Sequence, residues 1–76
     1  MEKIILLNKA SDVKEFIAET QKCVGEVAVS SLDGRYRVDG KSILGVFSLD
    51  LASYVCVYVE KEDEAEKIFE KFSENA

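Results

Sequence analysis

Few side chains in this sequence belong to the types that drive chemistry, and Ser42 is the most suggestive of them. It stands between Lys41 and the run Ile43-Leu44-Gly45-Val46-Phe47-Ser48-Leu49-Asp50-Leu51, which is apolar nearly all round and interrupted mainly by Gly45 and Ser48. A serine directly before such a run is placed to cap a helix, its hydroxyl accepting from the orphan amides of the first turn. A helix of about two turns there would send Val46 and Leu49 to a core and leave Ile43, Leu44 and Phe47 near water. A hydroxyl at a helix start beside exposed apolar side chains is a place to be modified or bound. The plainer alternative is a capping serine on a core helix.

The other candidates are weaker. Gly40-Lys41-Ser42 looks like the end of a phosphate-binding loop, but Gly34 precedes Gly40 by one residue too many for the G-x-x-x-x-G-K-[ST] spacing. The long helix and the room for a nucleotide domain are missing as well. Lys9 is a candidate amine nucleophile, with a solvated surface lysine as the simpler reading. Cys23 and Cys56 form no metal or redox motif and read as packing residues. Cys56, flanked by Tyr54 and Tyr58, is either a redox-sensitive surface thiol or a quiet strand residue. The sequence contains no histidine, which removes the commonest general base and the commonest zinc ligand. No catalytic group, metal site or cofactor is expected, and the chain does not read as an enzyme.

Composition sets the frame for these residues. The 76 residues, 47% of them hydrophobic, suit one small globular domain (1–76) of modest stability. A net charge of −5 disfavours direct binding of nucleic acid, whose phosphates attract excess positive charge. No run is long enough for a bilayer, and Met1-Glu2-Lys3 leads straight into a strand-like run without a signal-peptide pattern. A cytoplasmic protein with no membrane contact is expected.

The elements that must position Ser42 follow from periodicity. Lys3–Leu7 fits a buried strand bounded by Asn8. Ser11 is a good N-cap with Asp12 in the first turn, and Val13, Phe16, Ile17 and Thr20 recur at helical spacing, predicting a helix to about Lys22 or Cys23, ending near Gly25. Glu26–Ser30 alternates with Val27 and Val29 inward, Leu32-Asp33-Gly34 signals a hairpin, and Arg35–Val38 alternates with Tyr36 and Val38 inward. Ser53–Glu60 is the strongest strand, apolar on both faces, hence central or covered by a partner. Asp63 caps a last helix with Ala65, Ile68, Phe69 and Phe72 as its stripe. The expected fold class is α+β: an open-faced sandwich in which three helices cover one face of a small, mostly antiparallel sheet. The other face, with Ala28, Arg35, Arg37, Tyr54, Cys56 and Tyr58, is a solvent face or a self-association surface, compatible with a weak homodimer.

That order of elements, with Gly40-Lys41-Ser42-Ile43-Leu44-Gly45-Val46-Phe47-Ser48-Leu49 at the short helix, resembles the histidine-containing phosphocarrier (HPr) family of the bacterial sugar phosphotransferase system. The similarity is densest at this segment, which is close to the regulatory-serine segment of the family in low-GC Gram-positive bacteria. Asp33-Gly34 and Glu62-Asp63-Glu64 add to it. The resemblance implies an HPr-like four-stranded antiparallel sheet in the order β-α-β-β-α-β-α.

The family's His-Ala-Arg-Pro motif is absent. The corresponding stretch reads Lys9-Ala10-Ser11-Asp12, so Lys9 holds the histidine position and Ser11 the arginine position, and phosphocarrier activity is not carried over. The resemblance implies phosphorylation of Ser42 by an HPr kinase/phosphorylase-like enzyme. It further implies docking of the phosphoserine on a LacI-type catabolite regulator through Lys41, Ile43, Leu44 and Phe47. A phosphate there would add about −1.5 to −2 charge at a helix N-terminus, where amides and the dipole favour it. The functional analogues are the catabolite-repression HPr-like proteins that lack the active histidine. The expected function is therefore a non-catalytic regulatory or adaptor protein. The alternative is an unphosphorylated binding or self-associating module using the open sheet face.

Overall fold

The computed structural model describes residues 1–7, 9–49 and 54–72. The expectations for Asn8, for Asp50 and Leu51 and for a strand start at Ser53 lie outside these residues. Among the described residues the elements run β1 (Glu2–Ile5), α1 (Ala10–Thr20), β2 (Val27–Ser31), β3 (Arg37–Asp39), α2 (Ile43–Phe47), β4 (Val55–Val59) and α3 (Glu62–Phe72). The strands form one four-stranded sheet in the order β1-β4-β2-β3, and every pairing is antiparallel. This is the α+β architecture the residue pattern predicts.

The sheet's register makes β4 a central strand. It lies between β1 and β2, with Val57 opposite Lys3 on one side and Val29 on the other. Val55, Val57 and Val59 are buried beneath the helices together with Val27 and Val29. Phe16 of α1, Val46 of α2, and Ile68 and Phe72 of α3 close this core from above, and the Phe16 and Phe72 rings meet edge to face at 5.7 Å. Ile5 and Leu7 complete it, fully buried.

Several local expectations are corrected. Ser11 is not the N-cap of α1: the amide of Val13 bonds the carbonyl of Lys9 at 3.2 Å, so the helix starts two residues earlier and Ser11 lies exposed inside its first turn. The Lys9 side chain makes no capping bond, so the turn is held by its backbone alone. The helix ends at Thr20, short of Lys22, because the amides of Lys22 and Cys23 turn back to Glu19 and Thr20. Asp63 likewise falls within α3, whose first turn closes from Ala65 to the carbonyl of Lys61 at 2.9 Å.

Strand positions shift for a different reason. β1 is an edge strand rather than a fully buried one, so Ile4 points to the open face and is exposed. β3 begins only at Arg37, which leaves Tyr36 beyond the ladder and 62% exposed instead of inward. Arg35 falls in the hairpin rather than on the open face. Gly34 adopts φ +77°, which a side chain would resist, and Asp33 ties the turn by accepting the Ser31 hydroxyl and the Arg35 amide. Ala28, expected on a solvent face, is buried beside Tyr58 and Asp39.

Candidate functional site

The site is built around the turn that joins β3 to α2. Gly40 is pinned through both of its backbone polar groups: its amide donates to the Val27 carbonyl at 2.8 Å, and its carbonyl accepts the Thr20 hydroxyl at 2.8 Å. Approach to β2 is close enough that a Cβ on Gly40 would stand 2.5 Å from Val27 Cγ1, so only glycine fits. Asp39 then folds the turn, its carboxylate accepting the Lys41 amide at 2.9 Å and its carbonyl accepting the Ser42 amide at 3.1 Å.

Ser42 comes out of this turn in an extended conformation (φ −102°, ψ 114°) and caps α2. Its Oγ accepts the Gly45 amide at 3.1 Å, and its carbonyl accepts the Val46 amide at 3.0 Å. The residue is half-buried. Gly45 keeps its surroundings open: a Cβ there would sit 3.3 Å from both Ser42 Oγ and Val38 Cβ. α2 is only five residues long, yet it sorts its side chains sharply. Val46 is 0% exposed and Leu49, just after the helix, is buried, whereas Ile43, Leu44 and Phe47 are 37%, 80% and 42% exposed. The capping hydroxyl therefore lies at the edge of an apolar patch that faces water.

Lys41 has a structural duty that the sequence did not show. Its ammonium donates to the carbonyl of Cys23 at 2.8 Å, and its own carbonyl accepts from Gln21 Nε2 at 3.4 Å. Both bonds reach the chain just after α1. The Ser42 turn is thus fastened to the C-terminal end of α1, whereas Lys9 and Ser11 sit at the opposite end of that helix, about 16 Å of helix length away. No hydrogen bond joins the two groups among the described residues.

The remaining candidates have quieter settings. Cys23 and Cys56 are both free thiols and half-buried. Burial pushes the Cys23 thiol up, with Glu64 adding to it, and burial followed by Glu2 does the same at Cys56, so neither is primed as a thiolate. Arg37 lies over the Tyr58 ring at 5.6 Å and pairs with Glu26 at 3.1 Å, on the open face and its rim. Among the described residues no group of histidine, cysteine or carboxylate side chains could hold a metal ion, and no helix is long and apolar enough to cross a membrane.

A cleft of about 530 Å³ that the sequence reading missed opens between the β2–β3 hairpin and the start of β4. Leu32, Tyr36, Ser48 and Tyr54 line it. The hint in the sequence is a pair of tyrosines at strand ends, one of which, Tyr36, alternation sends inward.

No protein-family model and no curated protein matches the chain. Among solved structures, the chain is similar to the crystal structure of the phosphocarrier protein HPr from Bacillus anthracis str. Ames. The likeness has a TM-score of 0.67 at 25% sequence identity and covers 93% of this chain and 89% of that one. The fold is therefore HPr-like over nearly the whole of the chain.

Proposed function

We propose that this chain is a non-catalytic regulatory or adaptor protein of HPr type whose switch is Ser42. The observation that carries the reading is the pairing of a capping hydroxyl with a solvent-facing apolar patch of Ile43, Leu44 and Phe47 on the same short helix. An HPr kinase/phosphorylase-like enzyme would transfer the terminal phosphoryl group of ATP to Ser42 Oγ, releasing ADP, with the hydroxyl proton passing to a base of the kinase. The phosphate gives a partner's arginines a charged anchor, and the apolar patch gives that partner area to bury. By resemblance the partner is a LacI-type catabolite regulator. Lys41 supports the turn from within through Cys23 and contributes its charge to the neighbourhood of the phosphate.

The histidine relay has no counterpart here. The chain has no histidine, and Lys9 and Asp12 stand at the start of α1, where the family carries its phosphohistidine. Asp12 places negative charge where an incoming phosphate would require the opposite. The chain is accordingly read as neither an enzyme nor a phosphocarrier. Incubation with an HPr kinase and ATP, followed by intact mass and peptide mapping, should show one phosphate on Ser42 and none on Ser42→Ala. An unmodified, folded wild-type protein would remove the switch.

The exposure of Ile4 on the open sheet face favours one further reading, a module that binds a second copy of itself through that face without phosphorylation. Sedimentation of the wild type and of Tyr58→Asp separates the two. Association that persists unchanged in the variant rules the sheet face out as the contact.

A further inference from the structure

Thr20 is the fully buried polar side chain among the described residues, at 0% exposure, and its hydroxyl does more than satisfy its own helix. The hydroxyl approaches the Ile17 carbonyl at 3.2 Å and the Gly40 carbonyl at 2.8 Å. With one proton to give, it gives the better bond to Gly40, twenty residues away and two residues before Ser42. The other two fasteners of the same turn are long, flexible side chains. Gln21 reaches Lys41 at 3.4 Å in an exposed contact, and the Lys41 ammonium reaches Cys23 from a partly buried stem. Thr20 is short, β-branched and enclosed, so it alone fixes the turn against α1 without rotamer freedom to spare. The Thr20 bond holds the carbonyl of the Gly40–Lys41 peptide while the Asp39 carboxylate accepts its Lys41 amide, so the two together set the plane of that peptide and the direction in which the chain enters Ser42.

We infer that Thr20 is the positioning residue of the Ser42 site, aligning the acceptor hydroxyl for phosphoryl transfer from the end of α1. The inference rests on the reading of Ser42 as a phosphate acceptor and names the residue behind it that the site depends on. Thr20 touches neither the phosphate nor a partner; it acts through the Gly40 carbonyl.

The test compares Thr20→Val, which keeps the shape and removes the hydroxyl, with Thr20→Ser, which keeps the hydroxyl. Thr20→Ala replaces the valine variant if that one does not fold. Both are assayed at a temperature where circular dichroism shows them folded. Two readouts are taken: kcat/KM for phosphorylation of Ser42 by an HPr kinase with ATP, and amide hydrogen exchange at Gly45, whose N–H the Ser42 hydroxyl caps. Thr20→Val should lose about tenfold in kcat/KM, as expected for a misplaced acceptor, with Thr20→Ser within about twofold of wild type. The Gly45 amide should exchange about tenfold faster in Thr20→Val while Val29 and Val57 in the sheet keep their protection. Equal behaviour of the valine and serine variants in both readouts overturns the inference. If wild type takes no phosphate, the reading of Ser42 fails by itself, and unchanged Gly45 exchange in Thr20→Val then separately overturns the positioning role.

Discussion

Glu64 shows how a single half-buried carboxylate can organise a connection. It accepts the amides of Val24 and Gly25 at 2.7 and 3.0 Å, and these two backbone bonds hold its carboxyl below the usual glutamate range. A carboxyl whose pKa is lower in the folded than in the unfolded chain adds stability above its unfolded pKa. That stability is lost as pH falls through the folded value. Urea denaturation should therefore show wild type weakening from about pH 4.5 downward, with Glu64→Gln less stable near neutrality and flatter across that window. Ser42 tests the cap at the same scale. Removing its bond to Gly45 in Ser42→Ala should cost about 1 kcal/mol in urea denaturation, as for other lost N-caps.

At the scale of elements, α2 divides its labour between neighbouring side chains. Val46→Ala removes fully buried methyls from the helical side of the core and should cost about 2 kcal/mol. Leu44→Ala, at a residue 80% exposed, should shift stability by less than about 0.5 kcal/mol. Chemical denaturation of the two variants checks this contrast, and a comparable loss in both would mean that Leu44 is packed. The same helix shows why its pattern was legible. Two positions three residues apart, Val46 and Leu49, are the inward ones, and the remaining apolar residues had nowhere else to point. The start of α1 was less legible. Ser11 has the preferred capping chemistry, yet the chain enters the helix at Lys9 without a side-chain cap, and tertiary packing of Val13 and Phe16 overrides the local preference.

For the molecule as a whole, stability rests on a small core with few redundant contacts. At about 0.05–0.15 kcal/mol per residue, a chain of this length has about 4–11 kcal/mol in hand. Phe72→Ala, which removes the edge-to-face partner of Phe16 at 5.7 Å, should cost about 3–5 kcal/mol. A thermal melt followed by circular dichroism should accordingly show Tm lowered by at least about 12 °C. The helices cover one face of the sheet, so the opposite face keeps Ile4 and the Arg37–Tyr58 pair near water. Alternation sends Tyr36 inward only if β3 starts early enough to carry it, and β3 starts at Arg37. A strand's alternation says which side a residue faces, not whether anything stands there.

The elements, their order and the core-facing side of the helices and of β2 and β4 are legible in the residue pattern, because hydrophobic periodicity is a local property of neighbouring residues. The pattern also singles out Ser42, since a capping residue and the helix it caps are adjacent in the chain. That the Ser42 turn hangs from the C-terminal end of α1 through Thr20, Gln21 and Lys41 emerges from packing in three dimensions. Those bonds join residues some twenty positions apart, and no local pattern encodes which carbonyl a buried hydroxyl will meet.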